Sequence, residues 1–277
     1  MCNRTIVIGS RGSDLALWQA HFVQEQLQAL GHVVEIKIIK TKGDRIQHLS
    51  FDKMEGKGFF TKEIEDALLS KSIDLAIHSH KDLETTIPTG LQIAAVSYRE
   101  DPSELLLIRP NAVDAKQLLG FIANAVVGTS SARRKAQLLH TRPDIKIKDI
   151  RGNVPTRIDK LRKGDFDAIM LAYAGVKRLK LDLSEFEAKI LSPEQFIPAP
   201  AQGVLGLQIR EEDTELAEVL RPINHPDVQQ TTQLERAILR KFNGGCQLPL
   251  GVYATQEEGI FTVKAAMAQT WDSPLKT

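Results

Sequence analysis

Val126-Val127-Gly128-Thr129-Ser130-Ser131-Ala132-Arg133-Arg134-Lys135-Ala136-Gln137 decides the fold. A short apolar run, Ala125-Val126-Val127, ends in a glycine and three hydroxyl residues, after which Ala132, Ala136 and Leu139 recur at helical spacing. This pattern reads as a strand delivering the chain to a helix N-terminus, where unpaired backbone N–H groups and the positive dipole end attract anions. Two arginines in the first turn oppose that dipole, at a cost of about a few tenths of a kcal/mol. Either they are solvated on a Ser-capped surface helix, or something negative offsets them.

The same order occurs earlier in the chain. Ile6-Val7-Ile8-Gly9 reads as a buried strand that runs into Ser10-Arg11-Gly12-Ser13-Asp14. A helix follows, with Leu15, Trp18, Phe22, Leu27 and Leu30 on one face, Ser13 or Asp14 as N-cap and Gly31 as the stop. A strand over 33–39, a helix over 62–71 and the strand Leu75-Ala76-Ile77 complete the first set, which ends in His78-Ser79-His80-Lys81-Asp82. The second set runs from strand 125–127 through a helix to about His140, a strand over 145–150 ending in Arg151-Gly152-Asn153, a helix over 156–163 and a strand over 168–171. Asp74-Leu75-Ala76-Ile77 echoes Asp167-Ala168-Ile169-Met170. Two βαβαβ units predict two similar α/β lobes, with ligand at the carboxyl ends of the strands and therefore in the cleft between them.

Strands over 91–96 and 104–108 flank the first crossover, and Ile197-Pro198-Ala199-Pro200-Ala201-Gln202-Gly203 is a stiff return to a strand over 204–209. A helix over 227–242, with Leu234, Ala237, Ile238 and Phe242 inward, ends at Gly244-Gly245-Cys246. A hairpin turning at Glu258-Gly259 follows, and together they form a third, small α/β unit. The polar Gly- and Lys-rich stretch over 41–60 reads as a long loop, of the kind that is either a functional lid or disordered.

Composition narrows the function. The 277 residues carry a net charge of +1, so no global field recruits nucleic acid or membrane, and 5% aromatics argue against a base-stacking platform. Two cysteines, Cys2 and Cys246, make no disulfide framework and suit a reducing compartment. No apolar run reaches the length of a membrane span and no export signal opens the sequence, which reads as cytoplasmic.

Five arginines fall in the loops after strands: Arg11, Arg133, Arg134, Arg151 and Arg157. Their planar forks suit carboxylate or phosphate, and together they point to a ligand with several acidic groups. Asp82, after a strand and beside Lys81, is either a structural pair or cap, or a carboxylate that stabilises a cationic intermediate. His78 and His80 alternate without a third metal ligand, so no metal is read. Neither Gly56-Lys57-Gly58 nor Gly128-Thr129-Ser130 has the spacing of a nucleotide P-loop. Cys246 is either a buried small hydrophobe or an exposed thiol at an open helix end.

In combination the motifs resemble the hydroxymethylbilane synthase (porphobilinogen deaminase) family almost from end to end. They are Arg11-x-Ser13 with Leu15-Ala16-Leu17-Trp18-Gln19-Ala20, Lys42-Gly43-Asp44, Gly56-Lys57-Gly58-x-Phe60, and His78-Ser79-x-Lys81-Asp82. Val127 to Arg134, Arg151-Gly152-Asn153-Val154-x-Thr156-Arg157, Gln202-Gly203 and Gly244-Gly245-Cys246-Gln247 complete the set.

The resemblance implies two periplasmic-binding-protein-like (type II) lobes and a third domain. These are 1–100 with 198–221, 101–197, and a shortened 222–277. It implies a dipyrromethane cofactor joined by a thioether to Cys246. On that primer four porphobilinogens are added head to tail with loss of ammonia, and the linear tetrapyrrole is released by hydrolysis. By the same resemblance Asp82 is the catalytic carboxylate. Arg11, Ser13, Lys81, Thr129, Ser131, Arg133, Arg134, Arg151 and Arg157, with Gln19, would hold the acetate and propionate groups. Lys53, Lys57 and Phe60 would belong to the lid, and the family expectation is a cytoplasmic monomer. Glu84, Glu55 and Asp14 depart from the usual pattern. The short stretch after Cys246 leads to the expectation of apolar surface left exposed on the third domain.

Overall fold

The computed structural model describes residues 4–41, 61–242 and 248–277. In the first lobe β1 (Ile6–Ser10) lies parallel to β2 (Val34–Ile38) on one side and to β3 (Leu75–Ser79) on the other. β4 (Leu91–Val96) closes the sheet beyond β10 (Leu205–Arg210), an antiparallel strand that arrives only after the second lobe is complete. The order is β2-β1-β3-β10-β4. In the second lobe β5 (Glu104–Ile108), β6 (Val126–Gly128), β7 (Lys146–Lys148), β8 (Ala168–Ala172) and β9 (Glu187–Leu191) are arranged β7-β6-β8-β5-β9. The two orders are the same, with β10 and β5 in the same antiparallel role. Two such lobes, joined by two crossovers, form the type II periplasmic-binding-protein-like arrangement.

The repeat extends to side chains. Asp74 accepts from the Val7 N–H at 3.1 Å and from Arg210, while Asp167 accepts from the Val126 N–H at 2.8 Å and from Arg109. In each lobe one aspartate pins the start of the first strand to the start of the third and is neutralised by an arginine near the end of the antiparallel strand.

Helices α1 (Asp14–Ala29) and α2 (Lys62–Leu69) cover the first sheet, and α3 (Ala132–Thr141), α4 (Val154–Arg162) and α5 (Tyr173–Leu179) serve the second. Ser13 caps α1 by accepting from the Ala16 N–H, and Gly31 ends it at φ +88°, a region only glycine enters freely. The inward face of α1 differs from the expected one. Gln19, Ala20, Val23 and Leu27 are buried against the sheet, whereas Leu30 is exposed. Leu15 and Trp18 face α5 of the other lobe: Trp18 stacks on Phe22, and Arg178 lies 5.5 Å over its ring. The helix is apolar on two sides because it serves two partners.

The first core gathers Ile6, Ile8, Leu75, Leu205 and Leu207, and the second gathers Leu106, Ile108, Phe121, Val127 and Met170, all essentially inaccessible to solvent. Each such side chain contributes roughly 1.5–3 kcal/mol relative to exposure. After α6 (Thr214–Leu220), α7 (Pro226–Lys241) packs on the hairpin of β11 (Leu250–Glu257) and β12 (Ile260–Met267). The hairpin turns at Glu258 and Gly259, both at positive φ, as a two-residue loop requires. The inward face of α7 is Thr231, Thr232, Glu235 and Leu239, while Ala237 and Phe242 are exposed, contrary to expectation. This helix buries a charge, Glu235, against Arg99, at 2.8 Å.

Candidate active site

The carboxyl end of β3 runs directly into a single 3-10 turn, His80–Asp82. That turn carries Lys81 half-buried and Asp82 exposed. Beneath it Gln19, buried on α1, donates to the Ser79 hydroxyl at 2.9 Å. Arg11 follows β1 at the same end of the sheet, and its charge reaches His78. Ser13 of the same loop spends its oxygen as the α1 cap.

On the second lobe Thr129 is buried and accepts from the Ser131 N–H, and Ser131 caps α3 by accepting from the Arg134 N–H. The adjacent arginines are not free cations. Arg133 and Arg134 are both buried and both donate to Glu104, the first residue of β5, which is wholly inaccessible. Arg133 also donates to Ile197 O at 2.9 Å and Arg134 to Met170 O at 3.0 Å. With Glu104 they form a paired cluster whose net charge is one positive. Glu104 also resolves why two arginines sit in a helix's first turn: an anion on β5 pairs with both and offsets part of their charge. Burial alone would raise the Glu104 carboxyl, but Arg134, Arg133 and Lys81 outweigh it and hold it at about 2.

The two lobes meet electrostatically. Lys81 donates to Gln202 Oε1 at 3.1 Å, and Gln202 in turn donates to Glu104 at 3.1 Å and to Pro102 O at 2.7 Å. Burial lowers the Lys81 ammonium to about 8, with Asp82 pulling it up and Arg134 pushing it down. Arg157, whose Nε donates to Gly152 O at 2.8 Å, is lowered to about 10 by burial and Arg134, with Asp82 opposing and Arg151 adding to the shift. Asp82 of one lobe and Arg157 of the other therefore feel each other across the cleft. The histidines are neutral packing groups: burial takes His78, bonded to Gln208, to about 4 and His80 to about 3.

Six cations (Arg11, Lys81, Arg133, Arg134, Arg151 and Arg157) thus line the strand ends against two carboxylates, Asp82 and Glu104. Cations held at such a cost in solvation fit a ligand bearing several carboxylates. Lys53, Lys57, Phe60 and Cys246 lie outside the described residues. Glu104 and Gln202 were absent from the site residues expected from sequence. A glutamate opening the wholly apolar run Leu105-Leu106-Leu107-Ile108 was the available signal, because a charge on a buried strand needs a partner.

Fold and site define a two-lobed α/β protein whose facing strand ends gather cationic side chains around one exposed carboxylate. The family profile for porphobilinogen deaminase, dipyromethane cofactor binding domain, matches residues 6–218, and that for the porphobilinogen deaminase C-terminal domain matches residues 229–270. The porphobilinogen deaminase of Gloeobacter violaceus is 44% identical over 270 residues, covering 96% of this chain and 81% of the relative. That of Chromobacterium violaceum is 45% identical over 265 residues, covering 95% and 84% respectively. The chain belongs to the porphobilinogen deaminase family.

Proposed function

We propose that this chain is a transferase of tetrapyrrole (haem) biosynthesis that adds four porphobilinogen units head to tail and releases linear hydroxymethylbilane by hydrolysis. In each addition the aminomethyl C–N bond of the incoming unit breaks, a C–C bond forms to a free pyrrole carbon, and ammonia leaves. When bound, the dipyrromethane supplies that first free carbon; Cys246 is the residue assigned to carry it.

The observation that carries this reading is Asp82, exposed on its turn beside Lys81 and within electrostatic reach of Arg157 of the other lobe. As C–N cleavage proceeds, positive charge develops on the incoming pyrrole. A carboxylate fixed there accepts the pyrrole N–H and stabilises that charge. Lys81, Arg11, Arg151 and Arg157 bind the acetate and propionate groups, with Thr129, Ser131, Ser13 and Gln19 adding neutral donors. Glu104 holds Arg133 and Arg134 in fixed orientation, so the guanidinium N–H groups not spent on it can face ligand. Residues 1–100 with 198–221, 101–197 and 222–277 form the three domains, with Lys53, Lys57 and Phe60 in a lid. The enzyme works as a cytoplasmic monomer without nucleic acid or membrane; no helix among the described residues is long and apolar enough to cross a bilayer.

Intact-protein mass spectrometry before and after incubation with porphobilinogen, with Cys246→Ser as control, tests the reading. The expected result is a Cys246-dependent adduct of two pyrrole units that grows one unit at a time. Folded protein that binds porphobilinogen yet never gains mass would overturn the reading and leave a two-lobed anion-binding protein.

A further inference from the structure

The turn that carries Lys81 and Asp82 is only three residues long and has no side-chain cap. Its backbone is held from elsewhere. Arg236, on α7, reaches back across the molecule and donates from Nη1 to His80 O and to Leu83 O, both at 3.1 Å, and from Nη2 to Glu84 O. Those carbonyls bracket Lys81 and Asp82 on both sides. The base of the clamp is also fixed: the preceding residue, Glu235, is wholly buried and accepts from Arg99, from the Ala201 N–H and from the Ala254 N–H. An arginine fork is suited to this task, since its planar N–H groups diverge at set angles where a lysine offers one point charge.

We propose that Arg236 is a positioning residue for Asp82. It fixes the turn that carries Asp82 to α7, so the carboxylate and the helix of the third unit are set on one frame. The proposal rests on the porphobilinogen deaminase reading for its catalytic consequence, but not for the clamp. Asp82 is exposed, so its place depends on its backbone, and a misplacement of about an ångström costs on the order of a hundredfold in rate.

The test measures hydrogen exchange and steady-state kinetics on the full-length chain and on Arg236→Lys, Arg236→Gln and Arg240→Gln, the last an exposed residue of the same helix. In the two Arg236 variants the amides of residues 80–85 should exchange about tenfold faster while β1 and β3 stay protected. Their kcat should fall at least tenfold, with KM changed less than about threefold. Arg240→Gln should match the parent in both. Unchanged exchange over 80–85 in Arg236→Lys overturns the clamp, whatever the activity. Faster exchange with parental kcat overturns the positioning role. A parent chain without turnover would sink the proposed function instead, and exchange would still decide the clamp.

Discussion

Arg134 donates from Nε to the Glu104 carboxylate at 3.0 Å, with both side chains out of reach of solvent. With Arg133 they form a buried triad in which one anion pairs with two cations. Glu104→Gln removes the anion and leaves two guanidiniums facing each other, so it should destabilise the second lobe by about 3–5 kcal/mol. The pH dependence has a definite sign. The folded carboxyl sits at about 2, below its ordinary 4.5, so its contribution is complete above about pH 4.5 and is lost as pH falls toward 2. That amounts to about 3 kcal/mol. Denaturant midpoints followed from pH 6 to pH 2.5 should fall steeply in the parent and more shallowly in Glu104→Gln. Parallel curves would show that the triad is not stabilising.

Lys81 lies at the opposite end of the same relay. Its ammonium is lowered to about 8 by burial, so its charge is present at pH 7 and lost as pH rises through about 8. If it binds a substrate carboxylate, KM for porphobilinogen should rise above pH 8 while kcat changes less. Lys81→Arg keeps the charge at all these pH values and should flatten the KM profile. An identical rise in that variant would assign the titration to another group.

Asp82 has little structural duty, being exposed on its turn. Asp82→Asn should therefore leave the melting temperature within about 2 °C of the parent. It removes the negative charge at the point where positive charge develops, and turnover should drop by about a hundredfold or more. Retention of more than a tenth of the parental rate would refute the assigned role.

Much of this architecture is legible in the chain because its signals are local. The Asp74 and Asp167 echoes mark equivalent strand starts, and the Gly128-to-Ser131 and Ser10-to-Ser13 turns mark equivalent helix entries. What was not legible depends on partners distant in sequence. Nothing near Arg133 announces Glu104, and the inward faces of α1 and α7 could not be read from apolar spacing. Trp18 turns toward Arg178 of the other lobe, and α7 buries Glu235 because Arg99 pairs with it. Arg236 reads as a solvated helix residue until the turn at His80 is placed against it.

Gly203 stands where the two crossovers touch. Its φ is +88°, and a Cβ added there would lie 2.1 Å from the Glu100 carbonyl oxygen. Backbone on both sides cannot rotate away as a side chain could, because Glu100 N–H donates to Gly203 O at 3.0 Å and Arg178 donates to the same oxygen. Gly203→Ala should cost about 3 kcal/mol or more, a fall of roughly 6–12 °C in melting temperature. A calorimetric shift below about 2 °C would mean that the crossovers part easily.

The third unit carries an exposed apolar strand, β12. α7 covers β11, burying Leu250 and Val252 beneath Leu239, but its cover stops short of β12, where Ile260 is 70% exposed and Phe261 and Val263 about 40%. Beyond β11, the ladder of β12 meets only the single bridge from Met267 to Lys276 among the described residues, so most of its outer edge presents unpaired backbone groups. Such an edge, apolar and eight residues long, templates pairing with another chain. Ile260→Lys with Val263→Thr places a charge beside the turn and keeps a β-branched shape in the strand. The double variant should scatter less light than the parent when both are warmed at high concentration, with melting temperature and turnover unchanged. Equal scattering would move the source of association to another surface, such as the exposed Val33 and Ile38 of the first lobe.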